Sequence, residues 1–241
     1  MPGHPMTNPI LLITRPKRGA ERFIARLDPV LLTKVDVVLS PLLEIVPTQN
    51  PVDLDAATAV VFTSANAVSF CPQGQGQGRI AYCVGEQTAE AAIAHGWRSA
   101  FAARDADDLV ARLTADAPGS RLVHLAGKHR RGEIAARLTA NGVQTDVVEV
   151  YDQVLLPLTT EAQAALASET RVLLPLFSPR TAGHFAAELQ SVQNLQIVAI
   201  SAAVVEALGE NAPEDVIIAK APTGKDMVHC IEKQLRTFSL A

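Results

Sequence analysis

The sequence predicts an α/β protein of two similar doubly wound parallel-sheet domains joined by a two-stranded link. Three observations carry that prediction. Apolar strand-like runs alternate with helix-like segments along the whole chain, the pattern of parallel sheets covered by helices on both faces. A short passage then occurs twice. Val60-Val61-Phe62-Thr63-Ser64-Ala65-Asn66-Ala67 is an apolar run that stops at hydroxyl residues before a helix, and Leu173-Leu174-Pro175-Leu176-Phe177-Ser178-Pro179-Arg180-Thr181-Ala182 does the same. Each is followed by another apolar run and an alanine-rich helix, from Ile80 to Ala89 and from Ile197 to Val205. Asp36-Val37-Val38 returns as Asp146-Val147-Val148, and Ile24-Ala25-Arg26-Leu27 as Ile134-Ala135-Ala136-Arg137-Leu138. A repeat spacing of roughly 110 residues matches an ordinary domain. Finally, two proline-ended extended stretches, Ser40 to Pro47 and Tyr151 to Pro157, read as partners in a link.

The elements follow in order. Ile10 to Thr14 is a buried strand ended by Arg15-Pro16. Gly19 to Leu27 is a helix with Phe23, Ile24 and Leu27 on one face. Val35 to Leu39 is a strand, and the first connector follows. Ala59 to Thr63 is a strand, Ala65 to Phe70 a short helix, Ile80 to Val84 a strand and Gln87 to His95 a helix. Trp97 to Phe101 is a strand and Asp107 to Leu113 a helix. Arg121 to Leu125 is a strand, and Arg130 to Asn141 a helix closed by Gly142. Thr145 to Val150 is a strand that meets the second connector. Beyond it lie helices at Glu161 to Leu166, Thr181 to Gln190, Ala202 to Leu208 and Gly224 to Arg236. Strands at Val172 to Phe177, Ile197 to Ile200 and Val216 to Ala219 alternate with them.

Composition narrows the function. The 241 residues suffice for two small cores, and 48% hydrophobic content marks a globular chain. Aromatics are 4% and the net charge is -4, so no nucleic-acid partner is expected. No apolar run approaches the ~20 residues that cross a bilayer. Met1 to Pro9 has no basic segment ahead of an apolar core, so a cytoplasmic location is expected. Cys71, Cys83 and Cys230 fit no zinc spacing and read as free thiols. The six histidines show no metal pattern, and the chain has no Gly-x-Ser-x-Gly elbow. No metal is expected. Gln73-Gly74-Gln75-Gly76-Gln77-Gly78 lacks the Gly-Lys-Ser/Thr of a phosphate loop and reads as a flexible surface loop.

In an open parallel sheet, ligands bind beyond the carboxyl ends of the strands. Thr63-Ser64, Gly85 to Thr88, Gly127-Lys128, Ser178 and Ser201 all fall there. Ser64 and Ser178 read equally as helix caps, with Pro179 at the first helical position. The same N–H groups also form an anion site. Lys128, His129, Arg130 and Arg131 form a basic run at an expected helix start, either solvated or contacting an acidic ligand. Arg15 invites the same reading. Tyr151, one of two tyrosines, lies in the second connector.

Val61-Phe62-Thr63-Ser64-Ala65-Asn66-Ala67-Val68, Val84-Gly85-Glu86-Gln87-Thr88-Ala89, Val150-Tyr151, Phe177-Ser178-Pro179, Ala221-Pro222-Thr223 and the opening Thr14-Arg15-Pro16 stand in the chain at family-like positions. Together they resemble the uroporphyrinogen-III synthase family over nearly the whole chain. The resemblance implies interleaved domains: residues 1–38 with 155–241 form one, 48–146 form the inserted one, and 39–47 with 147–154 form the link. It implies one cleft faced by Thr63, Ser64, Thr88, Tyr151 and Ser178, with Asn66 a further candidate for substrate binding. Where the family carries a Gly-Pro-x-Thr-Ala-like turn, this chain has Ser201-Ala202-Ala203-Val204-Val205, so Val204 lacks the expected hydroxyl and Ser201 is the candidate substitute.

The implied substrate is hydroxymethylbilane, a linear tetrapyrrole with eight carboxylates. It is cyclised with inversion of the last ring and loss of water, in haem biosynthesis. No cofactor is implied, and a monomer is expected. Tyr151 is the candidate donor to the departing hydroxyl, as a modest acid. Ser64, Thr88 and Ser178 at helix starts, with Lys128, Arg131 and Arg15, would hold the carboxylates. The rival reading is a non-catalytic two-domain small-molecule binder or sensor.

Overall fold

The computed structural model describes residues 8–116, 119–130, 132–189, 193–213 and 215–238. The strands are β1 (Ile10–Ile13), β2 (Asp36–Leu39), β3 (Leu43–Pro47), β4 (Ala59–Phe62), β5 (Ile80–Val84), β6 (Arg98–Ala103), β7 (Arg121–Gly127), β8 (Gln144–Leu155), β9 (Val172–Leu176), β10 (Leu195–Ala199) and β11 (Ile217–Ile218). The helices are α1 (Lys17–Ile24), α2 (Pro29–Leu32), α3 (Ala65–Phe70), α4 (Glu86–Ala94), α5 (Ala106–Asp116), α6 (Ile134–Ala140), α7 (Thr160–Ala167), α8 (Pro179–Glu188), α9 (Ala202–Leu208) and α10 (Gly224–Phe238). A 3₁₀ turn spans Gly209–Asn211.

The chain divides into two units, one of Met1–Glu44 with Leu155–Ala241 and one of Ile45–Val154. The first holds a five-stranded sheet in the order β11-β10-β9-β1-β2. Its described pairs are parallel, and β1 lies between β2 and β9. These strands are nearly continuous Val, Ile and Leu because both faces are covered. Leu12, Leu174 and Ile197 face α7, α8 and α9 through Ala162, Phe185 and Val204. Leu11, Ile13 and Val198 face α1 and α10 through Phe23, Met227 and Ile231.

The second unit repeats the plan with a six-stranded sheet, β3-β8-β7-β4-β5-β6. Val60, Phe62 and Leu125 pack on α3 and α4 through Val68 and Ala92. Val61 and Leu122 pack on α5 and α6 through Leu113 and Leu138. Both units are therefore doubly wound α/β. The repeated passage also repeats in backbone geometry: Ser64 (φ -154°, ψ 138°) and Ser178 (φ -149°, ψ 145°) cap α3 and α8 in the same extended conformation.

Four expectations change. The helix expected from Gly19 to Leu27 ends at Ile24, and α2 starts afresh. Pro29 biases Asp28 out of the helical region, and the Asp28 carboxylate accepts from Val30 N to cap the new turn. The helix expected from Arg130 begins only at Ile134, because Gly132 (φ 84°) and Glu133 (φ 43°) are left-handed. Lys128 to Arg130 therefore lie in the loop before α6. The proline-ended stretches are sheet strands. Thr145 to Val150 and the connector after it form one 12-residue strand, β8. Thr48 N donates to Val150 O (3.1 Å) and Leu156 N to Leu42 O (3.0 Å), an opposed register that makes this pairing antiparallel. The glycine-rich loop, expected to be flexible and superficial, buries Gly76 against the Trp97 indole, where a Cβ would come within 2.9 Å.

Candidate active site

The carboxyl edge of the second sheet gathers most of the predicted residues. Thr63 and Ser64 follow β4. Ser64 Oγ accepts from Asn66 N at 3.2 Å, so the serine is a helix cap, and Asn66 is exposed beside it. Gly85 (φ 79°), not Thr88, occupies the start of α4. Thr88, expected to hold a carboxylate at the helix start, is the third residue of α4 and is buried, and its N–H already donates to Gly85 O at 3.1 Å.

Tyr151 sits on a β-bulge. Along β7 and β8, Ala126 pairs with Glu149, and Gly127 pairs next with Tyr151, skipping Val150. Consecutive strand residues otherwise point to opposite faces. The bulge lets Val150 and Tyr151 pack into the same apolar cluster. The phenol ring is 5% exposed and tilts against Phe70 with centroids 6.2 Å apart. It also covers Gly127, where a Cβ would come 2.6 Å from Cε2 and 2.7 Å from Oη. Only glycine at 127 leaves the ring in place. That requirement is invisible in the sequence, because it arises from the bulge.

His124 is a second residue that sequence reasoning missed. It faces Thr63 from the adjacent strand, and its Nε2 shares a hydrogen bond with Thr63 Oγ1 at 3.3 Å. The imidazole is 3% exposed. Burial, and then the charge of Arg130, pushes its pKa down to about 4, so it is neutral near pH 7. A histidine inside an apolar strand pattern, Leu122 to Ala126, was the available signal.

The loop after β7 is charged but internally paired. Lys128 Nζ lies 3.3 Å from Asp152 Oδ2, and His129 Nε2 lies 3.5 Å from Asp152 Oδ1. Arg130 Nη1 donates to Glu149 Oε1 at 2.7 Å and to Gly127 O at 3.1 Å. The Gln153 backbone N–H, followed by Lys128 and His129, holds the Asp152 carboxyl below its usual range. Lys128 thus reaches a ligand only by sharing or leaving Asp152. Arg131 lies outside the described residues.

The carboxyl edge of the first sheet carries the rest. Arg15 follows β1, with its Cζ 4.1 Å from the Phe177 ring centroid. Ser178 caps α8: its Oγ accepts from Thr181 N at 3.2 Å and lies 2.8 Å from Thr181 Oγ1. Ser201 heads α9 without a side-chain cap bond. Val204 is fully buried among Leu174, Phe185 and Leu208. A hydroxyl there would face the core, so the departure at 204 is a packing choice and removes no exposed group.

Cys71 and Cys83 are buried free thiols whose pKa burial raises to about 11, and Cys230 is partly buried. Among the described residues, no three His, Cys, Asp or Glu side chains gather as a metal site, and no helix is long and apolar enough to cross a membrane.

Two doubly wound α/β units, each with hydroxyl groups and cations along the carboxyl edge of its sheet, place these side chains where open parallel sheets take their ligands. The family model described as uroporphyrinogen-III synthase HemD matches residues 33–229. The chain belongs to the uroporphyrinogen-III synthase family, whose members are cyclising lyases of porphyrin biosynthesis acting on hydroxymethylbilane. No curated protein gives a significant sequence match. Among solved structures, uroporphyrinogen-III synthetase from Helicobacter pylori 26695 aligns with a TM-score of 0.70 at 19% identity, over 95% of this chain and 100% of that one. A mutant uroporphyrinogen III synthase from the extremely thermophilic bacterium Thermus thermophilus aligns with a TM-score of 0.52 at 11% identity, over 95% of this chain and 99% of that one. At such identities these likenesses speak for the fold.

Proposed function

We propose that this chain closes hydroxymethylbilane into uroporphyrinogen III with Tyr151 as the group that assists departure of the terminal hydroxyl. The family match over residues 33–229 carries the reaction. The bulge that turns the phenol onto Gly127 supports the residue. The chemistry asks for three things. A flexible chain must be held so that its ends meet, which is an orientation effect. The leaving hydroxyl must receive a proton or a hydrogen bond. Direct closure without inversion of the last ring must be disfavoured, which calls for a shaped, closed site.

A phenol held by packing on Phe70 and Gly127 spends no rotamer freedom when substrate arrives. Thr63, Ser64, Asn66, Ser178 and Ser201 offer hydroxyl and amide groups to substrate carboxylates, and the N–H groups of Glu86 and Gln87 at the start of α4 add to them. Arg15, Lys128 and Arg131 supply charge, and the buried Thr88 supports the start of α4 that the carboxylates meet. The reaction runs without a metal or organic cofactor. The protein works as a cytoplasmic monomer with no nucleic-acid partner.

The test is steady-state turnover of hydroxymethylbilane by the unsubstituted chain and by Tyr151→Phe. The variant should lose roughly tenfold or more in kcat with little change in KM, the range of a positioned proton donor. Its thermal melt should be unaltered. Equal kcat values would remove Tyr151 from the mechanism.

A further inference from the structure

Between Arg15 and Arg26 the chain carries Arg15, Lys17, Arg18, Arg22 and Arg26 against a single acid, Glu21. Among the described residues none of these five cations has a carboxylate within 4.0 Å, whereas Arg121, Arg130 and Arg137 elsewhere each do. Asp28, the next acid along the chain, is engaged by Arg236 at 3.8 Å. The excess charge is also placed. The Arg15 guanidinium lies on Phe177 and folds over Gly19, where a Cβ would come 3.3 Å from Nε. Arg26 Nη1 lies 2.6 Å from the Cβ position of Gly224, the first residue of α10. Two glycines thus leave room for two guanidinium groups.

Arg22 lies one turn beyond Gly19 in α1, on the face that Arg15 folds over, with its Nε donating to Arg18 O at 3.3 Å. Burial, then the charges of Arg22 and Arg26, lowers the Arg15 pKa. A half-buried arginine without a counter-ion, flanked by two more, is unfavourable until an anion joins it. Arg15 follows β1, Phe177 follows β9 and Gly224 follows β11, so the cluster stands at the carboxyl edge of its parallel sheet, the ligand edge.

We propose that Arg22 and Arg26 join Arg15 in a three-guanidinium site that receives carboxylate groups of the tetrapyrrole. This deepens the function proposed above and rests on it. Planar forks held by an aromatic face and by glycine seats suit bidentate carboxylate recognition. Inorganic phosphate shares that chemistry, so the test separates the two.

The experiment measures KM for hydroxymethylbilane and equilibrium binding of uroporphyrin III, by porphyrin fluorescence, in the unsubstituted chain, Arg26→Gln and Arg22→Gln/Arg26→Gln. One charge-assisted fork lost should raise KM and weaken uroporphyrin binding roughly tenfold, more in the double variant, with kcat kept within about twofold. Arg26→Lys should recover only part of the loss. Thermal melts check that these exposed substitutions leave the fold intact. KM and affinity within about twofold of the unsubstituted values in the double variant would overturn the site, as two lost charge-assisted forks should cost far more than that. Displacement of uroporphyrin by micromolar inorganic phosphate at constant ionic strength would overturn the carboxylate assignment. Uroporphyrin binding lost with these arginines, in a chain that turns over no hydroxymethylbilane, would sink the cyclase reading and leave the site standing.

Discussion

Tyr151 and His124 show how far single residues can be read. The tyrosine stood out by its rarity and by the family pattern around Val150-Tyr151. Nothing in the sequence announces the bulge that aims it, because a bulge is a property of pairing between two strands. His124 was legible only as a polar residue in an apolar run. Its partner, Thr63, lies 61 positions away, so their hydrogen bond needs the β4–β7 register. The buried imidazole makes a prediction at this scale. Its folded pKa of about 4 lies below the unfolded value of 6.5. Between those values the unfolded chain binds the extra proton, so stability is full above pH 6.5 and falls as the pH drops towards 4. A shift of that size is worth about 3 kcal/mol. Urea unfolding at pH 7 and at pH 4.5 should show a loss that is smaller in His124→Gln. The same pH dependence in both proteins would mean that other groups govern it.

At the scale of elements, alternation of apolar runs and helices located nearly every strand and helix, because the strands are buried on both faces and read as continuous apolar runs. The exceptions are local: α1 stops at Ile24 and Asp28 with Pro29 starts α2, and Gly132 with Glu133 delays α6. The twin serines were legible as caps or ligands, and both do cap their helices. Ser178→Ala should therefore cost about 1 kcal/mol in urea unfolding, and it should raise KM if the hydroxyl also meets substrate. Ser178→Asn, which still caps, should restore stability without restoring KM. Recovery of both together would leave the Ser178 hydroxyl no role beyond the cap.

For the whole molecule, the repeat at roughly one domain length predicted two similar α/β units, and the two doubly wound sheets have that form. The placement of β1 and β2 in a sheet with β9, β10 and β11 was not legible from periodicity, which marks elements but not their partners. Only the family resemblance implied it. The net charge of -4 hides a local excess of arginine at one sheet edge, since a sum over the chain carries no position. The activity belongs to this scale too, because holding a flexible linear tetrapyrrole so that its ends meet is an orientation effect. The most direct test supplies hydroxymethylbilane to the purified chain and resolves the cyclic products by isomer. Inversion of the terminal ring predicts uroporphyrinogen III as the main product, appearing faster than spontaneous closure. Uroporphyrinogen I alone, at the rate seen without protein, would contradict the account.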